Sequence, residues 1–316
     1  MTRTELYTIL TNANIVLHEC NLSECMPTDD DTKKYYFSVE ELSEMAEEIE
    51  NGHKTTLKEL RANAMYLNSL LLHGNGKLLD YEDVESCISY RYAQFNTRAI
   101  KDCPFASEGC KSVCYATKGN HVFKNVKESR ERSYNDSKRA DFSERMIYTI
   151  AVEKQSQRYK NSVMLIRIHE SGDFYSVQYL RKWLKVWRAY KNYMSVQFKL
   201  YTKSFPFFLM LKAEEKELIN SMLETSQLSI NLSLDDTTTA EQFNNYMEMR
   251  KAFPKANTYY ATEEPNKVKH NNVCDCANCA KCGICNHATG ETTTVKIHSA
   301  SNADMKKYRK NKRNGI

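Results

Sequence analysis

"VMLIRIHESGDFYSVQYLRKW", residues 163–183, passes from an apolar alternating run through a Ser-Gly-Asp turn into an amphipathic stretch. The run Val163 to His169 reads as a strand. Val177, Leu180, Trp183, Leu184 and Trp187 recur at helical spacing, so a helix over about 176–190 turns one apolar stripe toward a core. The two tryptophans, four residues apart, belong to that stripe and are expected to be structural. Strand, turn and helix together make one βα unit.

The same pattern recurs outward. "VQFKLYT" (196–202), "LSINLSL" (228–234) and "TYYAT" (258–262) read as strands, with helices over about 206–224 and 238–252 between them. The strand starts lie roughly 30 residues apart, the length of a βα unit. "CISYRYAQF" (87–95) precedes this series and "TTVKIHS" (293–299) follows it. About six such units predict an α/β fold, a parallel sheet in the form of a partial (βα)6 TIM-like barrel.

In such folds function collects where the strands end at their carboxyl side, because loops converge there and helix N-termini point at the ligand. Those ends are polar throughout. A three-cysteine loop follows the first strand; His169, Glu170, Ser171, Gly172 and Asp173 follow the second; Lys203 and Ser204 the third; Asp235, Asp236 and Thr237 the fourth; Glu263 and Glu264 the fifth. Ser204, Asp236 and Thr237 also suit helix capping. Capping does not account for Arg167, His169, Glu170 and Asp173 around Gly172, where a turn can present N–H groups to an anion.

The chain has 316 residues with 45 basic and 40 acidic side chains, and a net charge of +5 is too dilute to mark a nucleic-acid binder. No stretch reads as a signal peptide or a membrane span, so a cytoplasmic protein, in the host cytoplasm if phage-encoded, is expected. Residues 1–72 read as a helical extension, with capping boxes at Ser38/Glu41 and Thr56/Glu59. Two amphipathic helices are packing elements more often than a DNA reader. Residues 73–272 form the expected βα core, 273–300 a cysteine-rich metal-binding segment with the last strand, and 301–316 a basic tail, solvated or tracking phosphate.

Of 11 cysteines, eight fall into two groups: 103, 110 and 114, then 274, 276, 279, 282 and 285. Short spacings in a reducing compartment favour metal ligation over disulfides. Cys103, Cys110 and Cys114 suit zinc with a fourth ligand such as His121, or a [4Fe-4S] cluster with one open iron. Their C-x6-C-x3-C spacing lacks the close pairs of zinc sites and favours the cluster. The run through Cys276, Cys279, Cys282 and Cys285 approximates a ferredoxin pattern, with zinc, aided by His287, as the alternative.

The segments "GNGKL" (74–78), "CPFASEGCKSVCYATKG" (103–119), "RIHESGDFYSVQYLRKW", "LYTKS" (200–204) and the late cysteine group ending in "IHS" resemble the phage protein family called gene product 88. The late set that best matches the family is Cys274, Cys279, Cys282 and Cys285, leaving Cys276 spare. More distantly, the layout is similar to radical S-adenosylmethionine enzymes. These carry a three-cysteine loop after the first strand, a Gly-Gly-Glu-like end to the second and an "SLD"-like end to the fourth. Here "ESGD" (170–173) and "SLDD" (233–236) occupy those places, while the cysteine spacing and the Gly-Gly-Glu motif depart from the pattern.

The resemblance implies an iron-sulfur enzyme. Cys103, Cys110 and Cys114 would hold a [4Fe-4S] cluster, and the late group a second cluster or zinc. Gly172 and Asp173 would meet the amino group of S-adenosylmethionine, and Lys203, Ser204 and Asp235 would complete the cofactor site. His169 or Glu170 would face an unknown substrate, for which nucleic acid or a nucleotide is the candidate, with a flavodoxin or ferredoxin as reductant. The competing expectation is a nucleic-acid-binding phage protein with structural metal sites and a tail that contacts phosphate.

Overall fold

The computed structural model describes residues 71–73, 81–83, 88–154, 158–159, 161–267, 272–274, 284–297 and 300–312. Residues 1–70 of the expected N-terminal helical extension lie outside them, as do Cys276, Cys279 and Cys282, and the last residue of that extension, Leu72, begins a strand. In chain order the strands are β1 Leu72–His73, β2 Tyr81–Asp83, β3 Ile88–Phe95, β4 Val163–Ile168, β5 Val196–Thr202, β6 Leu228–Asp235, β7 Asn257–Thr262, β8 Asn272–Cys274 and β9 Thr292–Lys296. The helices are α1 Glu108–Ser112, α2 Lys124–Lys138, α3 Phe142–Lys154, α4 Val177–Tyr190, α5 Phe205–Leu209, α6 Ala213–Glu224, α7 Ala240–Ala252 and α8 Asn302–Lys312.

The strands form one sheet in the order β1-β3-β4-β5-β6-β7-β9-β8, with β2 also on β3. From β3 to β8 every pairing is parallel, and β1 and β2 run antiparallel to β3. The expectation of an α/β fold with a parallel sheet is met. Closure into a TIM-like barrel is not, among the described residues: β1 borders one edge and β8 the other, so both edges remain unjoined. The helix expected over 206–224 is two helices, because the Lys212 N–H donates to the Glu215 side chain at 2.7 Å and starts α6 anew.

Strands from β3 to β7 follow one another in space as in sequence. With right-handed crossovers that order puts the connecting helices on a single face. Met164, Ile166 and Ile168 of β4, Val196, Phe198 and Leu200 of β5, and Leu228, Ile230 and Leu232 of β6 share one core with α3, α4, α6 and α7. Trp183 and Trp187 are fully buried in it, as their stripe predicts. Alternation sends Arg167, Lys199, Tyr201, Asn231 and Ser233 to the other face. That polar face, not the helical one, carries the site.

The basic tail is ordered, unlike the solvated segment that its composition suggests. Residues 302–312 are the helix α8, held by fully buried Tyr308, by Lys118–Asp304 at 2.5 Å and by Lys312–Asp236 at 3.0 Å. Its polar composition hides a single apolar anchor. No helix among the described residues is long and apolar enough to cross a membrane.

Candidate functional site

The cysteine loop leaves β3 and is tied to the far side of the site by its own backbone. Ser107 caps α1 by accepting the Cys110 N–H at 3.1 Å, and its hydroxyl donates to Asp235 Oδ2 at 2.5 Å. The Gly109 N–H donates to Thr237 Oγ1 at 2.9 Å. A Cβ on Gly109 would stand 2.3 Å from that oxygen and 2.6 Å from the Tyr308 ring, so only glycine lets the loop close on β6 and α8. The Tyr115 hydroxyl, after the third cysteine, donates to the Glu170 carbonyl at 2.5 Å and accepts from Arg167 at 3.3 Å.

The turn after β4 depends on a second close approach. Gly172 has φ +85°, and a Cβ there would lie 1.9 Å from Thr97 Oγ1. Next to it, Asp173 Oδ1 accepts from Thr202 at 2.7 Å and from the Phe174 N–H at 2.8 Å, while Oδ2 accepts from the Lys203 N–H at 2.8 Å. Burial pushes its carboxyl up to about 6 against the pull of these bonds. Lys203 Nζ forms an ion pair with Asp235 at 2.9 Å, which holds the Asp235 carboxyl below its ordinary value although burial alone would raise it. Glu170 sits 3.9 Å from Arg167.

His169 takes a left-handed conformation, φ 62°, which turns its ring toward the core side of β4. There Nε2 lies 2.9 Å from the Tyr179 hydroxyl and the ring packs edge-on against Phe174. Burial lowers its pKa to about 3, so the imidazole is neutral. Ser204 caps nothing with its side chain: its hydroxyl donates to the Phe174 carbonyl at 2.8 Å, beside the Asp173 carboxyl.

A cavity of about 530 Å³ joins these elements. Cys103, Cys110 and Cys114 line it, as do His169, Glu170, Gly172, Asp173, Lys203 and Asp235. Cys274 and Cys285 of the late group line it too, whereas Cys279 and Cys282 lie outside the described residues. Cys103, Cys110, Cys114 and Cys285 are free thiols. Burial raises the Cys110 thiol to about 11, with the Lys203 ammonium pulling the other way, and burial raises Cys103 and Cys114 as well. Such neutral thiols are poor nucleophiles. Among the described residues, no group of three or more His, Cys, Asp or Glu is disposed to hold a single metal ion.

Sequence reading missed what the polar sheet face is for. Ser229 and Asn231 donate to the Cys285 carbonyl at 2.9 and 3.2 Å, and Asn257 donates to the His287 carbonyl at 2.7 Å. Asn286 Oδ1 accepts from Tyr92 at 2.6 Å and from Lys199 at 2.8 Å. Buried polar groups on four strands, β3, β5, β6 and β7, thus hold the late cysteine segment across the sheet. Strict alternation in "VQFKLYT" and "LSINLSL" signals a second, polar face, but the segment it holds lies more than 50 residues further along.

Fold and site define an α/β protein with a parallel sheet whose carboxyl edge opens on a thiol-lined cavity. Residues 68–288 match the family described as Gene product 88. The chain belongs to this phage protein family. It is 27% identical over 199 residues to the Gene 88 protein of Mycobacterium phage D29, covering 58% of this chain and 77% of that one. No solved structure matches it.

Proposed function

We propose that this chain is an iron-sulfur protein of the radical S-adenosylmethionine type, acting on a substrate held in the cavity. One observation carries the reading: three thiols of a single loop and the polar ends of three neighbouring parallel strands line one cavity. The donor set fits a cluster better than a lone ion. Around zinc, Zn–S bonds of about 2.3 Å bring all the sulfurs close together. A cubane binds each thiolate through a different iron, so its ligands stand further apart.

Cys103, Cys110 and Cys114 would hold the [4Fe-4S] cluster, and Cys274, Cys279, Cys282 and Cys285 a second cluster or zinc. When bound, the reduced cluster supplies the electron for reductive cleavage of the sulfonium of S-adenosylmethionine. The chain's own groups position and neutralise. Asp173, with lone pairs still free beside its three acceptor bonds, receives the cofactor's amino group next to the Gly172 turn. Lys203, fixed by Asp235, offers its ammonium to the carboxylate. Glu170 is the better placed of the two substrate-facing candidates, since the His169 ring packs against Tyr179 and Phe174.

The test is anaerobic incubation of dithionite-reduced protein with S-adenosylmethionine. It should release 5′-deoxyadenosine and methionine. Asp173→Ala should weaken cofactor binding about tenfold or more while iron content stays unchanged, and Cys114→Ala should abolish both. A fully iron-loaded protein with no cofactor binding by calorimetry and no deoxyadenosine refutes the enzyme reading.

A further inference from the structure

The net charge of +5 is not spread along the chain. Residues 302–316 hold six of the 45 basic side chains and one of the 40 acidic ones, so residues 1–301 carry 39 of each sign and the whole excess sits in the C-terminal segment. A local excess sets up a field that a balanced surface does not. Within α8 the charges fall into two sets. Asp304 pairs with Lys118 of the cysteine loop at 2.5 Å, Arg309 with Glu263 beyond β7 at 2.8 Å and Lys312 with Asp236 beyond β6 at 3.0 Å, while buried Tyr308 lines the cavity. These contacts fix the helix across the cavity rim. Lys306, Lys307 and Lys310 are exposed and form no ion pair among the described residues. Lys111, which holds the Glu108 carboxylate at 2.8 Å, lowers that carboxyl most, and Lys307 adds only a smaller pull.

We infer that Lys306, Lys307 and Lys310 of α8 form a binding surface for the phosphodiester backbone of nucleic acid at the rim of the cavity. Lysine meets phosphate as a point charge with no fixed geometry, so three lysines on adjacent turns fit a repeating anion without reading its sequence. A protein partner fits less well. Protein interfaces are built on aromatic and apolar anchors and are poor in lysine, whereas the exposed positions of α8 are Asn302, Ala303 and basic residues alone. A strand on this surface stands one helix width, about 10 Å, from the cavity that Tyr308 lines. The inference goes beyond the enzyme reading and is independent of it, since backbone contact needs no cluster and is measured without turnover.

The measurement is fluorescence anisotropy of labelled oligothymidylate, alone and paired with oligoadenylate, titrated with the purified full chain at about 50 and 200 mM salt. Three phosphate contacts predict that affinity falls about 20-fold over that range for the single strand and about 40-fold for the duplex, so the salt dependence also tells which form is held. Joint replacement of Lys306→Gln, Lys307→Gln and Lys310→Gln should weaken binding about tenfold or more at the lower salt and leave Tm unchanged, since all three side chains are exposed. Lys191→Gln, Lys251→Gln and Lys255→Gln together remove the same charge from exposed positions where the chain leaves α4 and α7, at the end of the sheet away from the cavity, and should leave affinity unchanged. No binding of either form, an α8 variant that binds like the parent, or an equal loss in the distant variant would overturn the assignment. Polyglutamate of matched charge binding as tightly as the strand would overturn it too, in favour of an acidic protein. Nucleic-acid binding in a protein that never acquires iron leaves the surface standing and removes only the enzyme reading; deoxyadenosine release without nucleic-acid binding does the reverse.

Discussion

Single residues set the geometry of the site through what they lack. Gly172 and Gly109 each let another chain segment come closer than any side chain allows, one beneath Thr97 and the other against Thr237 and Tyr308. A different residue registers a cost of burial. Glu153, near the end of α3, is 2% exposed with an unpartnered Oε1, and burial alone raises its carboxyl from 4.5 to about 7. The folded protein therefore holds a proton that the unfolded chain releases, and stability declines as pH rises from about 4.5 to 7. Glu153→Gln should consequently stabilise the protein at pH 8 by about 2 kcal/mol, or roughly 4–8 °C in Tm, and change little at pH 4. Thermal melts at both values check it; an equal Tm for parent and variant at pH 8 contradicts the buried, unpaired carboxyl.

Elements show how far the sequence can be read. Apolar alternation places β4, β5, β6 and β7 within a residue of their observed bounds, because one face of each packs on the helical core whatever its neighbours are. The strand-end residues were legible for the same reason: a parallel βα order fixes where loops converge. Helix α8 was not legible. Its composition is that of a solvated tail, and it is ordered by Tyr308, whose oxygen accepts the Asp236 N–H at 3.1 Å beside Gly109. The polar sheet face was legible as a pattern but not as a purpose, since its partners at Cys285, Asn286 and His287 are distant in sequence. Tyr308→Ala should destabilise by about 3 kcal/mol. It should also loosen the cysteine loop, so that metal-free protein is alkylated faster at Cys110 than the parent. Unchanged melting and unchanged alkylation would show that α8 does not brace the loop.

At the scale of the whole molecule, the two faces of the sheet divide the work. One is apolar and joins the helices into a single core; the other is polar and gathers Cys103, Cys110 and Cys114 with Cys274 and Cys285, more than 150 residues further along the sequence, into one cavity. The division follows from consecutive parallel strands with helices on one side, which leave the opposite face for the C-terminal segment to cover. Of these thiols, Cys103, Cys110 and Cys114 are raised by burial, and the cluster proposed above would replace their protons. The most direct measurement is iron and acid-labile sulfide per chain in protein purified without oxygen. The protein should be brown with about four iron and four sulfide per cluster, and should lose one cluster's worth in Cys103→Ala, Cys110→Ala or Cys114→Ala. A colourless protein with stoichiometric zinc and no iron would contradict it.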